Sequence, residues 1–159
     1  LDINSFCWWS LHFDSDDSLK SNFEQAKHSV ENLNIFIQNE IIQKYNMNSE
    51  NIVLLGFSQG AMLAYALSLN FYDMYKKVIG LSGKIPEEII KTTSIDKYKD
   101  HKFYCSHGIF DQTIPITYAR KASDWFEKNK IDHQFQEFDS QHNLCMENIE
   151  AVKNWLKIN

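Results

Sequence analysis

The amino-acid sequence predicts an α/β fold, a mostly parallel sheet with helices on both faces. Three observations carry that prediction. Short, continuously apolar runs alternate with helical stripes along the whole chain. One such run, Ile52-Val53-Leu54-Leu55, leads through a glycine-flanked serine directly into a stripe of small residues. Finally, the 159 residues are 43% hydrophobic and 14% aromatic with only 2 prolines, enough to bury a sizeable core. Residues 1–159 therefore read as a single domain.

The elements follow in order. Ser21-Asn22-Phe23-Glu24 reads as a capping box, with serine and glutamate three residues apart. Behind it Phe23, Ala26, Val30, Leu33, Ile37 and Ile41 recur at helical spacing and predict a long amphipathic helix to about Lys44. After a polar turn, the Ile52 run has the apolar continuity of a central parallel strand covered on both sides. Ala61, Ala64 and Ala66 predict a closely packed helix from Gln59 to about Leu69. Val78-Ile79-Gly80-Leu81-Ser82 and Phe103-Tyr104-Cys105-Ser106-His107 are further strands, with a helical piece between them around Glu87 to Ile90. Ala122, Trp125 and Phe126 mark one face of a helix from Thr117 to Lys130. His133 to Phe138 alternates as a strand does, and Leu144, Ile149, Val152 and Leu156 stripe a last helix. Such alternation implies right-handed crossovers, and in sheets of this kind chemistry sits at the carboxyl ends of the strands.

Composition narrows the function. A formal charge of −5 and a pI near 5.6 argue against nucleic acid or an anionic membrane surface as partner. Arg120 is the only arginine, so bidentate phosphate clamps are scarce. Cys7, Cys105 and Cys145 form neither a CxxC pair nor a zinc-ligand spacing, so we expect reduced thiols, no structural metal and a cytoplasmic setting. No secretory signal is visible, and the chain opens at Leu1-Asp2-Ile3 without a methionine. Residues 51–72 carry no charge, yet Gly56-Phe57-Ser58-Gln59-Gly60 interrupts them. A buried strand, a tight turn and a buried helix explain that stretch better than a membrane span.

The same pentapeptide is a G-x-S-x-G turn with a strand before it and a helix after it. The expectation is that Gly56 and Gly60 keep side chains out of a very tight bend while Ser58 projects over the sheet edge, beside the positive end of the helix. A serine hydroxyl is a poor nucleophile without a base, and the base needs an orienting acid. In elbows of this kind the partners follow in chain order as serine, acid, histidine. Asp111, just after the Phe103 strand, and His142, just after the last strand, satisfy that order. Asp139 is a competitor whose plainer role is to cap the last helix, and His107 is a rival base that would invert the order. His12, His28, His101 and His133 read as solvated or core residues, without the H-E-x-x-H spacing of a zinc hydrolase.

At this point the chain resembles a known family. The Gly56–Gly60 elbow, Gly80-Leu81-Ser82-Gly83-Lys84-Ile85-Pro86, His107-Gly108 with Asp111 and Ile114-Pro115, and Gln141-His142 occur in the order found in the carboxylesterase/phospholipase group of α/β-hydrolases, which includes the acyl-protein thioesterases. Trp8-Trp9-Ser10-Leu11 extends the likeness to the start of the chain. The resemblance implies the α/β-hydrolase fold and a serine esterase or thioesterase acting on small acyl esters, lysophospholipids or S-acylated proteins. It makes Ser58 the nucleophile, Asp111 the acid, His142 the base and the Gln59 backbone N–H an oxyanion donor, with no metal or organic cofactor. Trp8 and Trp9 are then candidates for a wall of the acyl pocket, with plain packing as the competing role.

Three positions depart from the family pattern. Lys84 stands in place of a large apolar residue, Ser10 in place of an aspartate, and Gln141 is unusual before the histidine. They bear on acyl-chain preference rather than on the triad. Relatives also carry upstream strands ending in a Leu-His-Gly-type loop that donates a second oxyanion amide, and this chain starts downstream of it. The expectation is therefore an N-terminally incomplete domain with half an oxyanion hole and an exposed apolar sheet edge. The alternative to an active esterase is a truncated, inactive or partner-dependent hydrolase.

Overall fold

The computed structural model describes residues 6–15, 19–91 and 94–158. The chain divides into two compact units, residues 1–47 and 48–159.

The first unit opens with a short antiparallel pair, β1 (Leu11–Phe13) and β2 (Leu19–Ser21), in which His12 faces Lys20 across the ladder. Strands of three residues are too short to show a period, and neither was expected from the sequence. Helix α1 (Phe23–Phe36) continues as a wider π-helical stretch over Ile37–Gln43, close to the expected end. The N-cap differs from the expected one. Asn22, not Ser21, caps α1, its side chain accepting from the backbone N–H of Gln25. Asparagine and serine are comparable N-caps, so a single-residue choice between neighbours is settled by the path of the chain entering the helix. Along the stripe Ala26, Val30 and Ile37 are buried, while Phe23 is exposed.

The second unit is built on a wholly parallel sheet in the order β3 (Val53–Phe57), β4 (Lys77–Leu81), β5 (Lys102–Gly108), β6 (Asp132–Phe138). Among the described residues three α-helices accompany it: α2 (Gln59–Asn70), α3 (Thr117–Lys128) and α4 (Met146–Ile158). Apolar continuity in β4 and β5 reflects burial on both faces. Ile79, Leu81 and Tyr104 pack with Val152 and Trp155 of α4 on one face. On the other, Phe103 meets Phe126 of α3 and Tyr65 of α2, with ring centroids 4.4 and 6.2 Å away. Helices thus cover both faces, as expected. Nine consecutive residues of α2, Ala61 to Leu69, are buried, and small side chains make that close approach feasible.

Two expectations at the end of the chain need correction. The buried face of α4 is Asn148, Val152 and Trp155, whereas Ile149 and Leu156 are exposed and Leu144 precedes the helix. Hydrophobicity alone misplaced the stripe. Asn148 is held inside because its Nδ2 donates to Ser106 Oγ at 2.9 Å, and the broad Trp155 ring fills the core position. Asp139 lies in the turn after β6, ahead of α4, and does not cap it.

Residues 51–72 resolve into β3, the turn and α2, and among the described residues no helix is long and apolar enough to cross a membrane. The edge strand β3 keeps Leu55 57% exposed, although Leu55 sits beside the fully buried Ile79 in the ladder. The lone arginine is occupied, since Arg120 on α3 forks onto both carboxylate oxygens of Glu137 on β6 at 2.8 Å.

Candidate active site

The site assembles at the carboxyl ends of β3, β5 and β6. Between the last residue of β3 and the first of α2 stands Ser58, with φ 56° and ψ −122°, a region costly for any residue with a side chain. Hydrogen bonds on both sides impose this conformation. Ser58 N–H donates to Leu81 O of β4 at 2.8 Å, and Ser58 C=O accepts from Ala61 and Met62 N–H at 3.0 and 3.3 Å. Each such bond contributes about 1 kcal/mol, so together they offset a strain of about 1–3 kcal/mol.

The two elbow glycines prove unequal. A Cβ on Gly56 would lie 2.1 Å from the Gly60 carbonyl oxygen and 2.6 Å from the Ala61 nitrogen, so the first turn of α2 crosses where a side chain would be. A Cβ on Gly60 would meet nothing within 4 Å, and Gly60 has no positive φ. The expectation that both glycines relieve a collision therefore holds for Gly56 and is corrected for Gly60. Gly60 is already the second residue of α2. Gln59 opens α2, which puts its backbone N–H in the first helical turn beside Ser58.

Asp111 follows β5 and is buried, with its side chain 0% exposed. Its Oδ1 accepts from the backbone N–H of Thr113 and Ile114 at 2.9 and 2.8 Å, a tight Asx turn that fixes the carboxylate. Oδ2 remains for His142, whose Nδ1 lies 2.7 Å away. The carboxylate can only accept, so Nδ1 carries the proton and Nε2 presents its lone pair. Nε2 is 2.9 Å from Ser58 Oγ. The His142 ring also rests on Phe57, with centroids 4.9 Å apart.

Ser58, His142 and Asp111 thus form a continuous hydrogen-bonded chain across 84 and 31 residues of sequence. Backbone bonds beyond the strand ends hold its two far members in step. Ile109 N–H donates to Phe138 O at 2.8 Å, and Phe110 N–H to Ser140 O at 3.0 Å. Gly108 permits this zipper, since a Cβ there would lie 2.4 Å from both the Ser140 and Gln141 carbonyl oxygens.

The other expected candidates fall elsewhere. His107 is fully buried near the end of β5, its Nε2 2.7 Å from Ile114 O and 3.2 Å from Asp111 Oδ2, and makes no bond to Ser58. The imidazole within hydrogen-bond distance of Ser58 Oγ is that of His142, not His107. Burial, more than any other cause, holds the His107 imidazole below its ordinary titration range. Phe57 is a neighbour of the site that the motif reading did not assign, and His107 is one that it weighed only as a rival base. Phe57 was visible as the variable position of the elbow, and His107 as the residue before the glycine. His12 and His28 are exposed, His133 is half-buried against Ser123, and His101 is buried. Trp9 is 2% and Trp8 48% exposed. Lys84 is also buried, its ammonium 3.3 Å from Glu88 and over the Tyr118 ring. Among the described residues no group of three or more His, Cys, Asp or Glu side chains is arranged to hold a metal ion.

The chain is similar to known proteins in both sequence and fold. A family model described as phospholipase/carboxylesterase matches residues 3–159. Acyl-protein thioesterase 1 of Kluyveromyces lactis is 29% identical over 154 residues, covering 94% of this chain and 67% of that protein. A probable carboxylesterase of Arabidopsis thaliana, SOBER1-like, is 29% identical over 135 residues, covering 81% of this chain but 49% of its own length. The chain therefore spans between about half and two thirds of these relatives. Among solved structures, acyl-protein thioesterase 2 of Zea mays superposes with a TM-score of 0.77 at 18% identity, covering 95% of this chain and 71% of the other. SOBER1 of Arabidopsis thaliana does so with 0.71 at 22% identity, covering 94% and 72%. At these identities the structural likeness speaks for the α/β-hydrolase fold.

Proposed function

The chain belongs to the phospholipase/carboxylesterase family, and from that premise we propose that it is a serine hydrolase cleaving carboxylic esters or thioesters. The observation that carries the proposal is the hydrogen-bonded line Ser58–His142–Asp111, ending on a serine in a strained turn.

The mechanism follows from the donors and acceptors. Ser58 Oγ attacks the acyl carbonyl carbon while His142 Nε2 removes its proton. Asp111 Oδ2 holds Nδ1–H, which fixes the reactive tautomer and stabilises the imidazolium that forms. The carbonyl electrons move onto oxygen, where the Gln59 N–H and the positive end of α2 meet the developing charge. Collapse expels the alcohol or thiol, which takes the proton back from Nε2. Water, deprotonated by His142, then attacks the acyl-serine; the bond from the acyl carbon to Ser58 Oγ breaks, Oγ takes the proton from His142 Nε2, and the acid is released. The reading needs no cofactor, and metal ligation is not part of it.

For substrate we propose an acyl ester of the lysophospholipid type or an S-acylated protein, the latter motivated by the thioesterase names of the relatives. In this reading the Gln59 N–H, at the first position of α2, is an oxyanion donor, a group whose loss typically costs about 10²–10³ in turnover. We place the reaction in the cytoplasm, where the free thiols Cys7, Cys105 and Cys145 persist reduced.

A fluorophosphonate probe with mass spectrometry tests the reading. The adduct is expected on Ser58 and absent from Ser58→Ala. A chain that circular dichroism shows to be folded, yet that does not label or labels elsewhere, overturns it.

A further inference from the structure

His107 is a fully buried polar side chain beside the site, and the catalytic reading gives it nothing to do. Its surroundings are specific. Nε2 lies 2.7 Å from the Ile114 carbonyl, a group that can only accept, so the proton of the neutral ring sits on Nε2. Nδ1 is buried with no hydrogen-bond partner among the described residues, so a second proton there would be unsatisfied. The ring is therefore a neutral donor of one fixed tautomer. Burial favours the same state.

That donor closes a small circuit. His107 Nε2–H goes to Ile114 C=O, Ile114 N–H goes to Asp111 Oδ1, and the other carboxylate oxygen, Oδ2, lies 3.2 Å from the same Nε2. Oδ2 is also the atom that takes His142 Nδ1. Swinging the Asp111 carboxylate away from His142 would thus require breaking the circuit at Ile114.

We propose that His107 is a positioning residue of this site, its Nε2–H clamping the Asp111–Ile114 turn to the end of β5 and holding Asp111 Oδ2 in line with His142 Nδ1. The proposal rests on the Ser58–His142–Asp111 reading above and adds a fourth side chain to it. Its chemistry is distinct from that of a base, because His107 neither gains nor loses a proton during turnover.

The test compares two replacements of similar size. Glutamine places an amide N–H where the imidazole Nε2–H was, whereas leucine fills the space without a donor. His107→Leu is expected to lower kcat for p-nitrophenyl acetate by about 10–100-fold, the usual effect of removing a partner that orients a catalytic group. KM should be unchanged, and fluorophosphonate labelling of Ser58 should slow by the same factor. His107→Gln should recover most of the loss. Leucine as active as wild type, or glutamine no better than leucine with both chains folded, overturns the positioning role. Should His107→Leu fail to fold, nitrogen NMR of the histidine side chains in the wild-type chain decides. A neutral Nε2–H ring at His107 is required, and a proton on Nδ1 overturns the clamp whether or not Ser58 reacts. Asp111→Asn separates the two readings. If it is as active as wild type, the triad fails; if it is inactive while His107→Leu is silent, only the clamp fails.

Discussion

The elbow after β3 and the paired loops after β5 and β6 solve one problem in different ways. Each must hold a member of the hydrogen-bonded line Ser58–His142–Asp111 in a fixed place at the carboxyl ends of the strands. The elbow does so locally: Ser58 is forced into its conformation by bonds from the adjoining strand and the following helical turn, and Gly56 lets that turn cross. The loops have no strained residue in the described set and rely instead on contacts between distant segments, with Gly108 allowing Ser140 and Gln141 to approach. The proposed nucleophile is thus specified within five residues, while the proposed acid and base are brought together only by the assembled sheet.

The largest expected effect breaks the comparison at its meeting point. Ser58→Ala should lower ester turnover by about 10⁶ if the three side chains act as a unit. Near-normal hydrolysis of p-nitrophenyl acetate by that variant would remove Ser58 as nucleophile.

Next come the two loops. Gly108→Ala forces a methyl group against two backbone oxygens and should pry the His142 loop from the Asp111 loop. A misplacement of about 1 Å costs roughly 10²-fold in rate, so kcat should fall by about that factor while far-ultraviolet circular dichroism stays native. Unchanged kcat would show that the zipper does not align the base.

A smaller pair of changes sharpens the elbow. Gly56→Ala should destabilise the fold by about 1–3 kcal/mol through overpacking against the backbone of α2. Gly60→Ala should be tolerated, or stabilise by up to about 1 kcal/mol as an alanine replacing a helical glycine. Thermal melts of the two variants measure the difference, and equal destabilisation would refute the asymmetry of the motif.

The smallest effect lies at the other end of β5. His101 is buried between Tyr98 and Phe103, and burial, with Lys76 adding to it, lowers its titration from 6.5 to about 4. The folded state prefers the neutral ring, so the stability present above the unfolded value near 6.5 is lost progressively as pH falls towards about 4. Melting temperature should drop across that window and drop less in His101→Phe. Identical slopes would assign the acid sensitivity to other groups.

Much of this molecule was legible because local rules and the fold agree. The elbow declares itself through glycine, serine and glycine between an apolar run and a small-residue helix, and the three side chains picked out by chain order, Ser58, Asp111 and His142, lie in one hydrogen-bonded line with His142 in the middle. The misses share a cause as well. Gly60 looked equivalent to Gly56, Ser21 looked a better cap than Asn22, and Ile149 and Leu156 looked more deserving of burial than Asn148 and Trp155. In each case residue type was weighed without knowing what stood opposite.

What the sequence determined by itself was the parallel α/β order, the elbow and the choice of Ser58, Asp111 and His142 as the three side chains to look for, because period, turn chemistry and chain order are written in neighbouring residues. The tertiary structure alone decided which glycines are sterically obligatory, which face of α4 is buried, and that His107 turns away from Ser58 towards the Asp111–Ile114 turn. Those outcomes depend on atoms brought within a few ångströms from far along the chain, and short-range pattern carries no record of such approaches.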